Sequence, residues 1–430
     1  MIRAFIFWFA GAWLGATYVG MPLATMLRAR FARRPYATAD ITPAVSVIIA
    51  AYNEVDVIGP RIDNLLALDY PADRLDIVIV SDGSTDGTDE VIARYVDRGV
   101  RLVAPGRVGK GAALEAAVAA STADILVFSD ANSEYAADAL RALVRPFADP
   151  TVGGVAGNQV YLAEGETDAT ELGERGYWDF DRLLKRWQAA AGSVTNGTGA
   201  IYAIRREHFG PIPEGITDDM LNTIRVVVDG RRLVFAEDAI AAEPVAPSGD
   251  LEFRRKVRIM TRSFRCLLLM RGLFDPRRTG WYAVQVFWHK VMLRTAALPL
   301  LALAGVGPLL WNHGPIYRLA VLGQAACYAL AGVGIALRGR AAGRNPLVAV
   351  PAYFTMVNVA SLRAMLNLVR GERIDRWVPT RTTTPSRPRL QALPTDGAAP
   401  GLAAGATDPT HADDAAPEGA DDDAPGAAIA

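Results

Sequence analysis

The chain has 430 residues, 51% of them hydrophobic and 21% charged, with a formal net charge of −1. That length allows two or three domains, and the balanced charge gives no global sign of a nucleic-acid-binding protein. Its two cysteines, Cys266 and Cys327, stand in apolar contexts without metal-ligand spacing, which argues against a disulfide scaffold and a structural zinc site.

The first element is an uncharged run from Phe5 to Leu27. It exceeds the roughly 20 residues that cross a bilayer. A signal peptide cleaved after Ala37-Thr38-Ala39 is the rival reading. Against it, the run is too long for an h-region and is followed by Arg28, Arg30, Arg33 and Arg34. A membrane anchor with a basic linker is therefore expected over residues 1–41, with the next domain on the cytoplasmic side.

Residues 42–276 alternate between short apolar runs and amphipathic stretches. Val45 to Ala51 leads into Tyr52-Asn53-Glu54, and Val57 to Leu68 follows as a helix. Ile77 to Val80 then runs into Ser81-Asp82-Gly83, before a helix from Thr88 to Asp97 and a short strand from Arg101 to Val103. Ala112 to Ala120 reads as helix, and Ile125 to Phe128 as a strand that leads to Asp130-Ala131-Asn132. Such runs suit strands buried on both faces. Strands alternating with helices predict an open, mainly parallel α/β sheet. Ligands bind such sheets beyond the carboxyl ends of the strands, so the three polar triplets should lie side by side. Asp86 and Thr88 fit a helix cap. Asp82 by itself fits either a turn or a ligand contact.

Residues 277–381 return to apolar composition. Trp281 to Arg294 carries His289, Lys290 and Arg294 among aromatics, as an interfacial helix would. Ala296 to Trp311 reads as a crossing, Asn312-His313-Gly314-Pro315 as a turn, and Tyr317 to Leu337 as a return marked by Arg338, Arg340 and Arg344. Pro346 to Val369 contains Arg363 and leaves crossing, re-entrant and interfacial placements open. Residues 382–430 are rich in Pro, Ala, Gly, Thr and Asp, and are expected to be a disordered acidic tail.

Taken in order, VSVIIAAYNE, IVIVSDGSTDGT, GKGAAL, ILVFSDAN, TNGTGAIYAIRR, ITDDM and RRKVRIMTR run from Val45 to Arg262. They resemble the motifs of family-2 glycosyltransferases of the GT-A fold, and more narrowly those of membrane-anchored bacterial enzymes related to cellulose, chitin-oligosaccharide and hyaluronan synthases. The resemblance implies an α/β fold: a GT-A type, mostly parallel nucleotide-binding sheet flanked by helices, with transmembrane helices towards both ends. It implies inverting transfer of a sugar from a nucleotide-diphosphate donor, expected to be a UDP-sugar, to an acceptor hydroxyl. The setting would be polysaccharide or glycolipid synthesis by a multi-pass protein of the bacterial inner membrane, with its catalytic domain in the cytoplasm. The partners implied are the nucleotide sugar, a membrane lipid or growing glycan as acceptor, and the bilayer, with no nucleic acid.

The resemblance also assigns residues. Tyr52 and Glu54 match the motif that lies against the nucleoside, and Asp82 the aspartate that bonds the pyrimidine edge. Lys110, between Gly109 and Gly111, adds positive charge near the nucleotide. Asp130 and Asn132 occupy the place of the DxD motif, whose first carboxylate holds Mg²⁺ or Mn²⁺ against the diphosphate; Asn132 departs from the second aspartate. Mg²⁺ typically takes only one or two protein carboxylates, so a divalent cation on Asp130 remains the expected cofactor. Asp219 matches the catalytic base, on a segment that also reads as a helix N-terminus capped by Thr217. Arg258 is the retained member of a Gln-x-x-Arg-Trp motif and suits the departing phosphate. Arg255 and Ile259 replace the Gln and Trp, which puts processive synthesis in doubt. A basic helix lying on lipid headgroups is the plainer reading of Arg254, Arg255, Arg258 and Arg262. Thr195 to Gly199 matches the loop beside the donor sugar, and Trp377 to Arg381 faintly resembles a C-terminal element of some synthases.

Two other classes use strand-end carboxylates. One is a nucleotidyltransferase-like enzyme, which would usually open with a glycine-rich basic loop where Ala51-Tyr52-Asn53-Glu54 stands. The other is a non-catalytic nucleotide-binding membrane protein that regulates export.

Overall fold

The first apolar run folds as α1 (Ile2–Gly15) and α2 (Met21–Phe31), continuous through a wider π turn at Ala16–Gly20. The structure is a computed structural model that describes residues 1–162, 169–244 and 249–372. The expectations for Trp377–Arg381 and for the acidic tail lie outside these residues. Ile2–Phe31 is long and apolar enough to cross a membrane, and it leaves Phe5, Trp8, Phe9 and Val19 exposed, as a lipid-facing helix does.

The middle of the chain runs β1 (Val45–Ala51), α3 (Val55–Leu66), β2 (Leu75–Ser81), α4 (Thr88–Ala93), β3 (Val100–Val103), α5 (Lys110–Ala120) and β4 (Ile125–Ser129). It continues through β5 (Glu134–Tyr135), α6 (Ala139–Val144), β6 (Val152–Leu162), α7 (Ala169–Ala191), β7 (Tyr202–Arg205), α8 (Asp218–Val228), β8 (Arg232–Pro244) and α9 (Gly249–Leu269). The eight strands form one sheet in the order β3-β2-β1-β4-β7-β6-β8-β5. The half β3-β2-β1-β4 is parallel throughout. The other half is mixed: β7 is antiparallel to both β4 and β6, β8 is parallel to β6, and β5 is antiparallel to β8.

Period-two alternation explains how one strand serves two cores. Val45, Val47 and Ile49 of β1 pack with Ile58, Ile62 and Leu65 of α3. Ile48 and Ala50 face the other way, against Leu114 and Val118 of α5 and Leu221 and Ile224 of α8. Covered on both faces, β1 and β4 are buried at every residue. Because β2 and β4 both run parallel to β1, with Ala51 opposite Ser81 and Ile49 opposite Ser129, the three polar triplets emerge at one edge.

The C-terminal part comprises α10 (Pro276–Thr279), α11 (Trp281–Val286), a π turn at Phe287–Met292, α12 (Ala297–Val306), α13 (Pro315–Ala336) and α14 (Pro346–Val369). Pro315–Ala336 and Pro346–Val369 are each long and apolar enough to cross a membrane, while Trp281–Met292 and Ala297–Val306 qualify only together, across a 56° bend. α14 is also a partner of α9. Ala360 and Ala364 pack against Val257, Met260 and Phe264, small residues that let the two helices approach. The basic linker after α2 is stitched to the sheet domain: Arg34 N–H donates to the Ala190 carbonyl at 2.9 Å, and Arg232 donates to the Arg34 carbonyl at 2.8 Å.

Candidate active site

Side-chain bonds lock the strand ends together. Asn53 is the one non-glycine residue with positive φ among those described, at 53°, a conformation that Asn tolerates better than most side chains. Its Oδ1 accepts from Thr85 N–H at 2.9 Å, and its own N–H donates to Ser84 Oγ at 3.1 Å. Asp86 does the work of a cap for two helices, accepting from Val55 N–H at 3.1 Å and from Thr88 N–H at 3.0 Å. The loops after β1 and β2 thus form one rigid floor.

Asp82 is buried in that floor, and both its oxygens are engaged. Oδ1 accepts from the N–H groups of Val108 at 2.8 Å and Gly109 at 2.7 Å, while Oδ2 pairs with the Arg107 guanidinium. The same guanidinium lies over the Tyr52 ring, 3.5 Å from its centroid. Arg107 therefore covers the face of Tyr52 and the carboxylate of Asp82 together.

Beside this pair opens a cavity of about 700 Å³ lined by Glu54, Lys110, Asp130, Asn132, Asp219 and Arg258. These six expected site residues come from five elements and their loops, and the fold brings them to one place. Tyr52 and Asp82 lie at its side, outside the lining. Lys110 opens α5, and its Nζ stands 3.2 Å from Asp130 Oδ1 and 3.3 Å from Asp218 Oδ2. Burial disfavours its charge, but Asp130 and then Asp218 more than offset that and hold its pKa above the usual lysine range.

Asp218 and Asp219 form the first turn of α8. Burial, and then the neighbouring Asp218 charge, push the Asp219 carboxyl up to about 6. Thr217 holds the N-cap position without making a side-chain cap bond. Its hydroxyl, Thr198 Oγ1 and Asn196 Oδ1 are buried in the cavity lining and find no hydrogen-bond partner among the described residues. Buried polar atoms left so are expensive, and a polyhydroxylated ligand would satisfy them.

A divalent cation fits Asp130. The carboxylate lies against bare backbone, where a Cβ on Gly199 would meet Asp130 Oδ2 at 2.7 Å. The Lys110 ammonium between Asp130 and Asp218 shows that the spot favours positive charge. Among the described residues no three His, Cys, Asp or Glu side chains converge as a metal cluster, so phosphate oxygens and water would have to complete the shell.

On α9 the basic residues sort by partner. Arg255 Nε and Lys256 Nζ both bind Glu252, at 2.7 and 3.0 Å. Arg258, on the same helix, has no carboxylate within ion-pair distance among the described residues and faces the cavity near Asp130. Arg255 and Arg258 are therefore directed inward, not laid on headgroups.

The sequence reading missed two groups. Glu243, at the end of β8, accepts from Ser133 Oγ and Gln159 Nε2, both at 2.6 Å. Burial and the Asp130 charge push it up to about 7. Neither its strand nor its partners had a sequence signature. Asp181 and Lys185 form a buried pair at 3.0 Å on α7; despite burial, Lys185 holds the aspartate down at about 2. Their i,i+4 spacing was the available signal. His289 and Lys290, read above as interfacial, are instead buried in the cavity lining. The π turn swings them inward, and His289 Nδ1 lies 3.2 Å from Gln188 Nε2 and 3.3 Å from Thr195 Oγ1. Tyr282 O–H donates to the Thr195 carbonyl at 2.8 Å, so the loop of residues 193–199 hangs from the helix that leads to α12.

Comparison with known proteins agrees with this geometry. Residues 46–211 match glycosyl transferase family 2. The beta-monoglucosyldiacylglycerol synthase of Synechocystis sp. is 30% identical over 237 residues, covering 51% of this chain and 49% of that protein. An N-acetylglucosaminyltransferase of Rhizobium meliloti is 28% identical over 252 residues, covering 54% of this chain and 59% of that one. The chain thus spans about half to three fifths of the length of these curated relatives. Among solved structures, the mannosyltransferase PcManGT from Pyrobaculum calidifontis, in complex with GDP-Man and Mn²⁺, aligns with a TM-score of 0.65 at 24% identity, over 86% of this chain and 100% of that one. The strand-end triplets, the eight-stranded sheet and these likenesses converge: residues 46–211 match glycosyl transferase family 2, and the sheet is of the GT-A type.

Proposed function

We propose that this protein transfers a sugar from a nucleotide-diphosphate donor, in our reading a UDP-sugar, to an acceptor hydroxyl at the cytoplasmic face of a bacterial cell membrane, inverting the anomeric carbon. The observation that carries this reading is Asp219: a half-buried carboxyl raised to about 6, in the cavity it shares with Asp130, Lys110 and Arg258. At neutral pH such a group is mostly ionised yet more basic than an ordinary aspartate, as a general base requires. It takes the acceptor proton while the hydroxyl oxygen bonds to the anomeric carbon and the bond to the diphosphate breaks. This is worth typically about 10²–10⁴-fold in rate.

Arg258 meets the charge that grows on the departing diphosphate, a task for which a fixed guanidinium is suited. Asp130, with Asn132 beside it, would hold Mg²⁺ or Mn²⁺, which when bound neutralises the diphosphate. Lys110 keeps Asp130 and Asp218 from repelling it. Tyr52 and Asp82 receive the base once Arg107 moves aside, with Glu54 beside them at the cavity wall. Thr198, Asn196 and Thr217 meet sugar hydroxyls. The relatives support the class of reaction: one is named for a glycolipid product, one for N-acetylglucosaminyl transfer, and PcManGT was solved with a nucleotide sugar and Mn²⁺. The stitching of the basic linker to the sheet domain supports the cytoplasmic placement, because positively charged flanks stay inside.

The test is nucleotide release by the detergent-solubilised full chain, given a panel of UDP- and GDP-sugars, Mn²⁺ and a bacterial lipid extract. Release from one donor, abolished by EDTA, supports the reading and names the sugar. Nucleotide binding with no release from any donor would favour the regulatory reading instead.

A further inference from the structure

The cavity does not end at the transfer centre. Its lining also takes in Arg262 and Lys290, and Tyr18, Leu293, Val350, Phe354 and Val357. Tyr18 belongs to the π turn of the first candidate span, and Val350, Phe354 and Val357 belong to α14, itself long and apolar enough to cross a membrane. The lining thus combines carboxylates at the strand ends, cations from α9 and the π turn, and a largely apolar stretch at the membrane helices in which Tyr353, Asn358 and Ser361 are interspersed.

The cationic part of the lining carries charge that the protein does not balance. Lys110, Lys185, Arg255 and Lys256 each hold a carboxylate. Among the described residues Arg258, Arg262 and Lys290 have none within ion-pair distance, and the buried Nε of Arg262 finds no hydrogen-bond partner. Lys290 is buried and the two arginines are half-buried; cations held so without a counter-charge are unfavourable, so such a cluster suits an anion. Arg258 is accounted for by the donor diphosphate. Arg262 stands one helical turn farther along α9, and Lys290 lines the cavity from the π turn. These two remain for a second anion.

We propose that the acceptor is a phosphate-bearing lipid, its phosphate held between Arg262 and Lys290 and its alkyl chain lying along the wall formed by Tyr18 and α14. The inference rests on the transferase reading and names its acceptor class. With the phosphate fixed there, the lipid presents its hydroxyl towards Asp219. The hydroxyl oxygen bonds to the anomeric carbon, its proton passes to the Asp219 carboxylate, and the nucleoside diphosphate leaves with the electron pair of the broken bond. Arginine and lysine together suit a phosphate better than a neutral headgroup, which would leave both charges unmatched.

The experiment is equilibrium binding of radiolabelled oleyl phosphate to the detergent-solubilised full chain, with oleyl alcohol and inorganic phosphate as competitors. The same preparation is assayed for UDP and GDP binding with Mn²⁺. Oleyl phosphate should bind saturably, neither competitor should displace it at equal concentration, and Arg262→Gln and Lys290→Gln should each weaken it at least tenfold. Arg262→Lys should restore most of the loss, which separates charge from packing, and nucleotide binding should be unchanged in all three variants. Displacement by oleyl alcohol would overturn the inference by showing an apolar site, and displacement by inorganic phosphate would overturn it by showing that the chain plays no part. Loss of nucleotide binding in Arg262→Gln would overturn it by placing Arg262 in the donor site. Nucleotide binding retained without oleyl phosphate binding sinks this inference alone; a wild-type chain that binds no nucleotide sinks the transferase reading.

Discussion

Lys110 Nζ stands 3.2 Å from Asp130 Oδ1, and the same ammonium reaches Asp218, so one lysine holds together the acidic half of the site. Without it, Asp130, Asp218 and Asp219 would face one another as like charges. The Asp219 carboxyl, already raised to about 6 with Lys110 acting to lower it, would rise further. Only the ionised form accepts a proton, so wild-type kcat/KM should increase with pH through about 6 and level off above it. Lys110→Met should move that rising limb up by about one unit or more. A pH–rate profile of both proteins checks this; an unshifted limb would mean that Asp219 does not set it.

Gly199 gives Asp130 its room. A Cβ there would meet Asp130 Oδ2 at 2.7 Å, closer than such contacts allow, so Gly199→Ala must displace the carboxylate. The expected outcome is a Mn²⁺ requirement raised at least tenfold with the melting temperature little changed. Titrating Mn²⁺ against activity reads the first, and a thermal melt in detergent the second.

Arg107 covers the proposed nucleobase floor, lying over Tyr52 and pairing with Asp82. A cation–π contact, and an ion pair whose arginine is partly exposed while its aspartate keeps two backbone N–H donors, are each worth about 0.5–1 kcal/mol. Displacing both therefore costs roughly 1 kcal/mol, and Arg107→Ala should bind UDP about fivefold more tightly. Calorimetry decides it. Weaker binding would show that Arg107 turns to contact the bound nucleotide.

Asn53 is expected to be a stability residue, not a catalytic one. With Ala, the positive φ costs about 1 kcal/mol and the lost bond to Thr85 about another. Asn53→Gly keeps the backbone conformation and loses only the bond. Thermal unfolding should rank the wild type above Asn53→Gly, and that above Asn53→Ala.

The parallel half of the sheet was legible because its strands are uninterrupted apolar runs punctuated by turn residues. Val45–Ala51 was read to the residue, and Ile77–Val80 lengthened by only a few positions to Leu75–Ser81. The other half was not. β6 carries Gly153, Gly154 and Gly157, which weaken any strand signal, and β8 pairs with it through register shifts. The direction of β7 depends on pairing partners that periodicity does not name. Motif order placed Asp130, Asp219 and Arg258, yet nothing local reported that Asp82 is sealed by residues 107–109. Nor did it show that Lys290 turns inward, since a basic residue among aromatics reads the same at an interface as in a cavity.

The central claim is that Asp219 accepts the acceptor proton, and the most direct measurement is Asp219→Asn, assayed for sugar transfer and donor binding in one preparation. Asparagine keeps the shape and cannot take the proton. The account predicts transfer reduced at least about 100-fold with the donor Kd unchanged. Transfer within a few-fold of wild type would contradict it and move the base elsewhere in the cavity.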